Sequence, residues 1–219
     1  MNKKTTAAIC FLVLFLALTL ALHFADVQPI GPNDSSVGFA SLNGAFHSIT
    51  GENLFLYELT DILEIIPFIA VLCFAVIGFI QLVKRKNLLK VDTDILLLGC
   101  LYAAVGIVFV LFELYEVNYR PVLIEGVLEA SYPSSTTMLV LTVMPSAAIQ
   151  MQRRIKNRTL MICSVVLCTV YTVFMVAARL ISGVHWLTDI TGGILVSAFL
   201  VLIYADLCDK LGKPGKRFK

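Results

Sequence analysis

Long apolar runs separated by short polar segments set the pattern of this chain. Six of them are long enough to span or nearly span a bilayer: Ala7–Phe24, Ile62–Val83, Ile95–Tyr115, Thr136–Met151, Leu160–Ala178 and Leu187–Leu207. They predict an all-α polytopic membrane protein, a bundle of six transmembrane helices with its site loops on the outer face. The chain reads as a single domain over residues 1–219, with a motif-bearing core at about 94–207. The fourth run is short and holds Pro145, which predicts a kinked or partly recessed helix. The first run follows Lys3 and Lys4 and leads into LHFADV without a small-residue cleavage pattern, so it reads as a retained anchor.

Composition agrees with this pattern. Apolar residues make up 58% of the chain and charged residues 15%, with a mean hydropathy of +0.88, outside the range of soluble domains. Net charge says little, but charge placement says more. Lys and Arg gather at the N-terminus, after span two (Lys84, Arg85, Lys86, Lys90), after span four (Arg153, Arg154, Lys156, Arg158) and in the tail (Lys210, Lys213, Lys216, Arg217, Lys219). The positive-inside bias makes that side cytoplasmic, with both termini there, and a compact chain of this kind suits a bacterial plasma membrane. Only two of the 17 basic residues, Arg120 and Arg179, fall on the outer side, among most of the acids. They are candidates for a site. The six cysteines lie within spans or at a cytoplasmic end, which gives neither a disulfide framework nor metal spacing.

The longest segment between spans, residues 25–61, begins with turn formers and continues with Phe39, Leu42, Phe46 and Ile49 at helical spacing. It predicts either a short amphipathic helix in the outer interface or a partly ordered loop on the bundle. His47 reads there as a solvated or interfacial histidine, and Trp186, Tyr57, Tyr115 and Tyr119 as interface anchors.

Three polar elements then fall on the outer face: Arg120-Pro121, Tyr132-Pro133-Ser134-Ser135-Thr136, and Arg179 with His185 and Asp189 in RLISGVHWLTD. The second opens span four, where the free N–H groups of a helix start and the hydroxyls of Ser134, Ser135 and Thr136 form a ready anion site. Arg120 and Arg179 supply bidentate donors for phosphate oxygens. His185 and Asp189 stand i, i+4, so the carboxylate can hold one ring nitrogen and leave the other free to attack phosphorus. Singly, each has a plain reading as a helix cap, a snorkelling arginine or a surface histidine. Their common face argues for a site.

The ordered set Arg-Pro, Pro-Ser-x-x and Arg-x5-His-x3-Asp resembles the type 2 phosphatidic acid phosphatase family, whose membrane members have six spans. The resemblance covers roughly Glu113 to Gly193 closely. It implies a hydrolase that removes phosphate or diphosphate from a lipid through a phosphohistidine. In that scheme His185 is the nucleophile, Asp189 orients it, and Arg120, Arg179 and Ser134 bind phosphate without metal or cofactor. The implied partners are membrane lipids and a phospholipid or isoprenoid phosphate substrate; nucleic acid is not among them.

Three positions depart from the family pattern. The Lys seven residues before the first Arg is Glu113, Pro-Ser-Gly-His is Pro133-Ser134-Ser135-Thr136, and the Ser before the last Arg is Ala178. The missing His is the family's acid for the leaving alkoxide, a role Thr136 does not fill near neutral pH. Two readings follow. One is an enzyme whose leaving group needs little protonation, such as a lipid monophosphate expelled from a diphosphate, or one that takes its proton from Glu125 or Glu129. The other is a weakly active or inactive lipid-headgroup-binding module. A transporter fits less well, because the charges lie at one edge rather than at mid-span.

Overall fold

The computed structural model describes residues 2–211; the predicted basic tail beyond Lys210 (Lys213, Lys216, Arg217, Lys219) lies outside them. Eight α-helices make up the described chain: α1 (Lys3–Ala21), α2 (Ala40–Thr50), α3 (Leu54–Leu63), α4 (Ile65–Arg85), α5 (Thr93–Leu114), α6 (Ser135–Arg154), α7 (Arg158–Ile181) and α8 (Leu187–Leu211). Among the described residues, extended pairing is confined to isolated bridges, two of which fold residues 119–130 into a hairpin. Side-chain caps start several helices: Asn53 accepts from the N–H of Leu56 at 3.0 Å and Asn157 from that of Leu160 at 3.0 Å.

Among the described residues, five helical segments are long and apolar enough to cross a bilayer: α1, α3 with α4 as one stretch Leu54–Arg85, α5, α7 and α8. The second span was expected from Ile62, but its helix begins at Leu54, so α3 adds about two turns of mixed apolar and polar residues ahead of the expected run. The fourth predicted span, α6, is a continuous helix of 20 residues through Pro145, yet it falls short in apolarity. The reason is its position. α6 packs against α4, α5, α7 and α8, and 12 of its residues are buried, including Thr136, Thr137, Thr142, Ser146, Gln150 and Arg154. Hydropathy reads lipid exposure, and this helix faces protein. α1 packs along α8 on the outside of the bundle.

At the end of the bundle where α4, α6 and α8 finish, the basic residues do more than mark topology. Arg154, only 3% exposed, donates to Asp94 at 2.7 Å, to Asp92 at 3.2 Å and to Gln150 at 2.7 Å. Arg85 holds the other oxygen of Asp92 at 2.8 Å. Arg153 lies 3.7 Å from Asp94 and 3.6 Å from Asp209, and Lys4 closes on Asp209 at 2.5 Å. These contacts tie α4, α5, α6, α8 and α1 together. Part of the charge in these basic clusters is therefore neutralised inside the fold.

Breaking a buried pair strands the remaining charge, a loss of about 3–5 kcal/mol. Asp94→Asn should therefore lower the thermal unfolding midpoint in detergent strongly, while Asp209→Asn, whose side chain is half exposed, should barely move it. Equal effects would contradict the buried-clasp description.

Candidate active site

At the opposite end, three segments close over the start of α6: residues 22–53 with α2, the 115–134 segment, and the turn 182–186. The turn carries His185. Gly183 makes it possible, with φ +69 and with Gly51 O only 1.8 Å from where a Cβ would stand. Asn53 N–H donates to Ser182 O at 2.8 Å, and His47 Nε2 lies 3.1 Å from Gly183 O. His47 also packs its ring 5.5 Å from that of Trp186. It is thus a strut for the turn rather than a solvated histidine. Asn43 on α2 accepts from Thr188 N–H at 3.2 Å and donates to Thr188 Oγ1 at 3.0 Å, which fixes the first turn of α8.

Trp186 is likewise corrected from interface anchor to buried clamp. It is 3% exposed, and its indole N–H donates to Tyr119 O at 2.8 Å, next to Arg120. The hairpin then holds Arg120 in place, with its backbone N–H on Glu129 O at 3.0 Å and its Nε 3.0 Å from the Glu129 carboxylate. Glu125, by contrast, sits at the exposed tip of the hairpin.

His185 and Asp189 face each other, but not as an i, i+4 pair on one helix. His185 precedes α8, Asp189 lies in its first turn, and Nδ1 is 3.7 Å from Oδ2, longer than a hydrogen bond. The cause is local: that oxygen accepts from Trp186 N–H at 2.9 Å, a capping interaction at the start of α8. Both ring nitrogens of His185 lack hydrogen-bond partners among the described residues, and the ring is 3% exposed. Burial, then the positive charges of Arg120 and Arg179, push its imidazole well below the usual value, so it stays neutral.

The second motif divides its labour. Ser134 caps α6, its hydroxyl accepting from Thr137 N–H at 3.5 Å, and its own N–H is spent on Asp189 O at 3.1 Å. Of the two groups expected to meet phosphate, the Ser134 N–H is thus spent inside the fold, while the hydroxyl keeps its own proton to donate. Ser135 reaches the site cavity, and the N–H groups of Ser135 and Thr136 open the helix without intrahelical partners. Thr136 Oγ1 donates to Glu64 at 3.2 Å.

The sequence reading missed α3. Tyr57, Thr60, Asp61 and Glu64 recur at i, i+3, i+4 and i+7, one helix face, and that face meets the site. Arg179, 2% exposed, donates to Asp61 at 2.9 Å, to Thr60 Oγ1 at 2.9 Å and to Tyr57 O at 3.4 Å. The Tyr57 ring takes both guanidinium groups, Arg179 at 4.5 Å and Arg120 at 5.6 Å from its centroid. Tyr57 is therefore the shared platform of Arg120 and Arg179, not an anchor in the interface.

A cavity of about 450 Å³ joins these parts, lined by His185, Arg120, Ser135 and the carboxylates Glu113, Glu116 and Glu129. Glu113 thus places an acid in the wall. Phe109, Ser135 and Met138 also line a second, apolar space of about 560 Å³ that runs between α4, α5 and α6 past Phe68, Val71 and Tyr102. Polar end and apolar groove thus share a wall. Arg120 Nη1 and Arg179 Nε join the ring nitrogens of His185 as buried nitrogen atoms without hydrogen-bond partners among the described residues. Buried polar atoms of this kind call for a ligand or water, and an anion matches the guanidinium donors.

Two measurements check this geometry. The folded state resists protonating His185 while the unfolded chain, near the ordinary value of 6.5, does not. The unfolded state therefore binds more protons below that pH, and stability falls as pH drops through it, by up to about 1.4 kcal/mol per unit. His185→Gln should flatten the pH dependence of thermal unfolding between about pH 6.5 and 5; an unchanged slope would refute the neutral buried imidazole. Gly183→Ala should cost more than about 1 kcal/mol. Gly126→Ala, at a similar φ of +79 but with open space around it, should cost less.

Comparison with known proteins bears on the whole arrangement. The PAP2 superfamily model matches residues 111–212, which hold all three polar motifs. No curated protein matches the chain. Among solved structures, the fold matches a crystal structure described as the first transmembrane PAP2-type phosphatidylglycerolphosphate phosphatase from Bacillus subtilis. That match has a TM-score of 0.67 at 19% identity and covers 97% of this chain and 98% of the other. The motif segment of this chain matches the PAP2 superfamily model, and the bundle around it shares its fold with that transmembrane phosphatase.

Proposed function

We propose that this chain hydrolyses the phosphate of a membrane lipid, with His185 as the attacking group. One observation carries the reading: buried, unpartnered nitrogen atoms on His185 and Arg120 line a polar cavity that shares a wall with an apolar groove, and Arg179, with an unpartnered Nε, stands on the same Tyr57 ring as Arg120. The headgroup phosphate occupies the first space and an acyl or isoprenoid tail the second. A neutral His185 nitrogen attacks phosphorus, the arginines and the N–H groups of Ser135 and Thr136 hold the non-bridging oxygens, and Asp189 steadies the imidazolium as charge develops. The phosphohistidine is then hydrolysed by water. The arginine pair and the helix start supply the positive field, so the scheme needs no metal.

In this reading α6 crosses the membrane as a sixth span, shielded from lipid by its neighbours. The basic end faces the cytoplasm with both termini, and the site opens at the outer leaflet of the plasma membrane. The substrates that fit are phosphatidate-type monoesters, including the phosphatidylglycerolphosphate of the Bacillus subtilis protein, and isoprenoid diphosphates. A second reading, a weak or inactive headgroup-binding module, draws on the carboxylates already paired with both arginines, Asp61 on Arg179 and Glu129 on Arg120.

Purified protein in detergent, assayed with EDTA present, should release phosphate from phosphatidate, phosphatidylglycerolphosphate or an isoprenoid diphosphate. His185→Ala should abolish release, and Arg179→Ala should cut it by about a hundred- to a thousandfold. Release from none of the lipids by the unaltered protein would favour the binding module. Release that survives His185→Ala would remove the nucleophile.

A further inference from the structure

Glu64 sits at the turn that joins α3 to α4, half-buried in the wall of the apolar groove. A carboxyl there is costly to keep unless it has work to do. Neither structural duty open to it is vacant. Ser134 already caps α6, and Asp61 already neutralises Arg179 at 2.9 Å. The described hydrogen bond to its carboxyl group comes from Thr136 Oγ1 at 3.2 Å. Thr136 in turn occupies the place where the family pattern puts its proton-donating His. The groove that Glu64 lines shares Phe109, Ser135 and Met138 with the cavity of His185, and Thr136 follows Ser135 in the first turn of α6.

We propose that Glu64 is the proton donor for the leaving alkoxide, relayed by the Thr136 hydroxyl, and that the substrate is therefore a phosphate monoester of a lipid alcohol. This rests on the phosphatase reading. In the first step the His185–phosphorus bond forms and the phosphorus–oxygen bond to the lipid breaks. Thr136 gives its hydroxyl proton to the departing oxygen and takes the carboxylic acid proton of Glu64. In the second step water attacks the phosphohistidine, its proton passes back through Thr136 to the Glu64 carboxylate, and the phosphorus–nitrogen bond breaks. The net change is one water consumed and one lipid alcohol and one phosphate released. The charged groups around Glu64 are Arg179, Arg120 and Asp61, with the Tyr171 hydroxyl close by on Leu63 O at 2.9 Å. The arginines also stabilise the carboxylate left after the first step.

A leaving-group comparison tests this. A short-chain phosphatidate expels an alkoxide that needs a proton, whereas 4-nitrophenyl phosphate expels a phenolate that does not. Glu64→Gln should slow phosphatidate hydrolysis by about a hundredfold or more, and single-turnover phosphorylation of His185 by 4-nitrophenyl phosphate should stay close to that of the unaltered protein. Thr136→Val, which breaks the relay without touching the acid, should show the same split. Adding Thr136→His to Glu64→Gln should recover phosphatidate hydrolysis. Equal losses on both substrates in both variants would mean that Glu64 only shapes the site, and no loss in either would remove it from the chemistry. Those outcomes are distinct from an unaltered protein that phosphorylates on neither substrate, which would overturn the phosphatase reading itself.

Discussion

A guanidinium held 2% exposed inside a lipid-facing bundle needs a carboxylate and other polar partners close by to stay folded there. Arg179 is the group the site end is organised around. It sits in the last turn of α7, and its partners all come from α3: the Asp61 carboxylate, the Thr60 hydroxyl and the Tyr57 carbonyl and ring. Those contacts set both the height and the rotation of α3. Once they are made, the same helix face necessarily brings Tyr57 under Arg120 and Glu64 against Thr136. One desolvated charge therefore places the platform, the second arginine and the acid.

The same constraint acts at the other end, where Arg154 gathers Asp92, Asp94 and Gln150. α6 runs between the two ends and carries the polarity of both: Thr136 and Thr137 at its start, Gln150 and Arg154 at its finish. Its neighbours α4, α5, α7 and α8 turn their apolar faces outward, as the exposure of Phe68, Phe79, Phe109, Leu167 and Val173 shows. The bundle thus reverses the soluble arrangement, with polar contacts concentrated inside and apolar side chains left for lipid.

Much of this was legible in the sequence, for reasons that can be named. Apolar runs report lipid-facing helices, so α1, α4, α5, α7 and α8 appear in them directly. Arg120, Arg179, His185 and Asp189 stood out because charge in an apolar context has few explanations. α6 was harder, since a helix wrapped by other helices loses the apolar signature. Thr60, Asp61 and Glu64 escaped notice because they are common residue types far upstream of the motifs. Their i, i+3, i+4, i+7 recurrence with Tyr57, just ahead of an apolar run, was the signal available. Trp186 and His47 were misjudged because an aromatic ring near a span end has a ready interfacial explanation. Only the fold reveals that the indole reaches Tyr119 O and the imidazole reaches Gly183 O.

The contact of Gly51 with Gly183, together with the α3 face, has a consequence for modularity. The segment that carries the family signature, residues 111–212, contains every motif and yet not the scaffold that shapes them. Its His185 turn leans on Asn53, its buried guanidinium on Asp61, and its helix start on Glu64, all from the preceding half. Grafting that segment onto the N-terminal half of a distant relative would transfer the motif letters without the surface they fold against. Chimeras within this fold would have to exchange α3 and the motif segment as one inheritance, and divergence in either would be answered by change in the other.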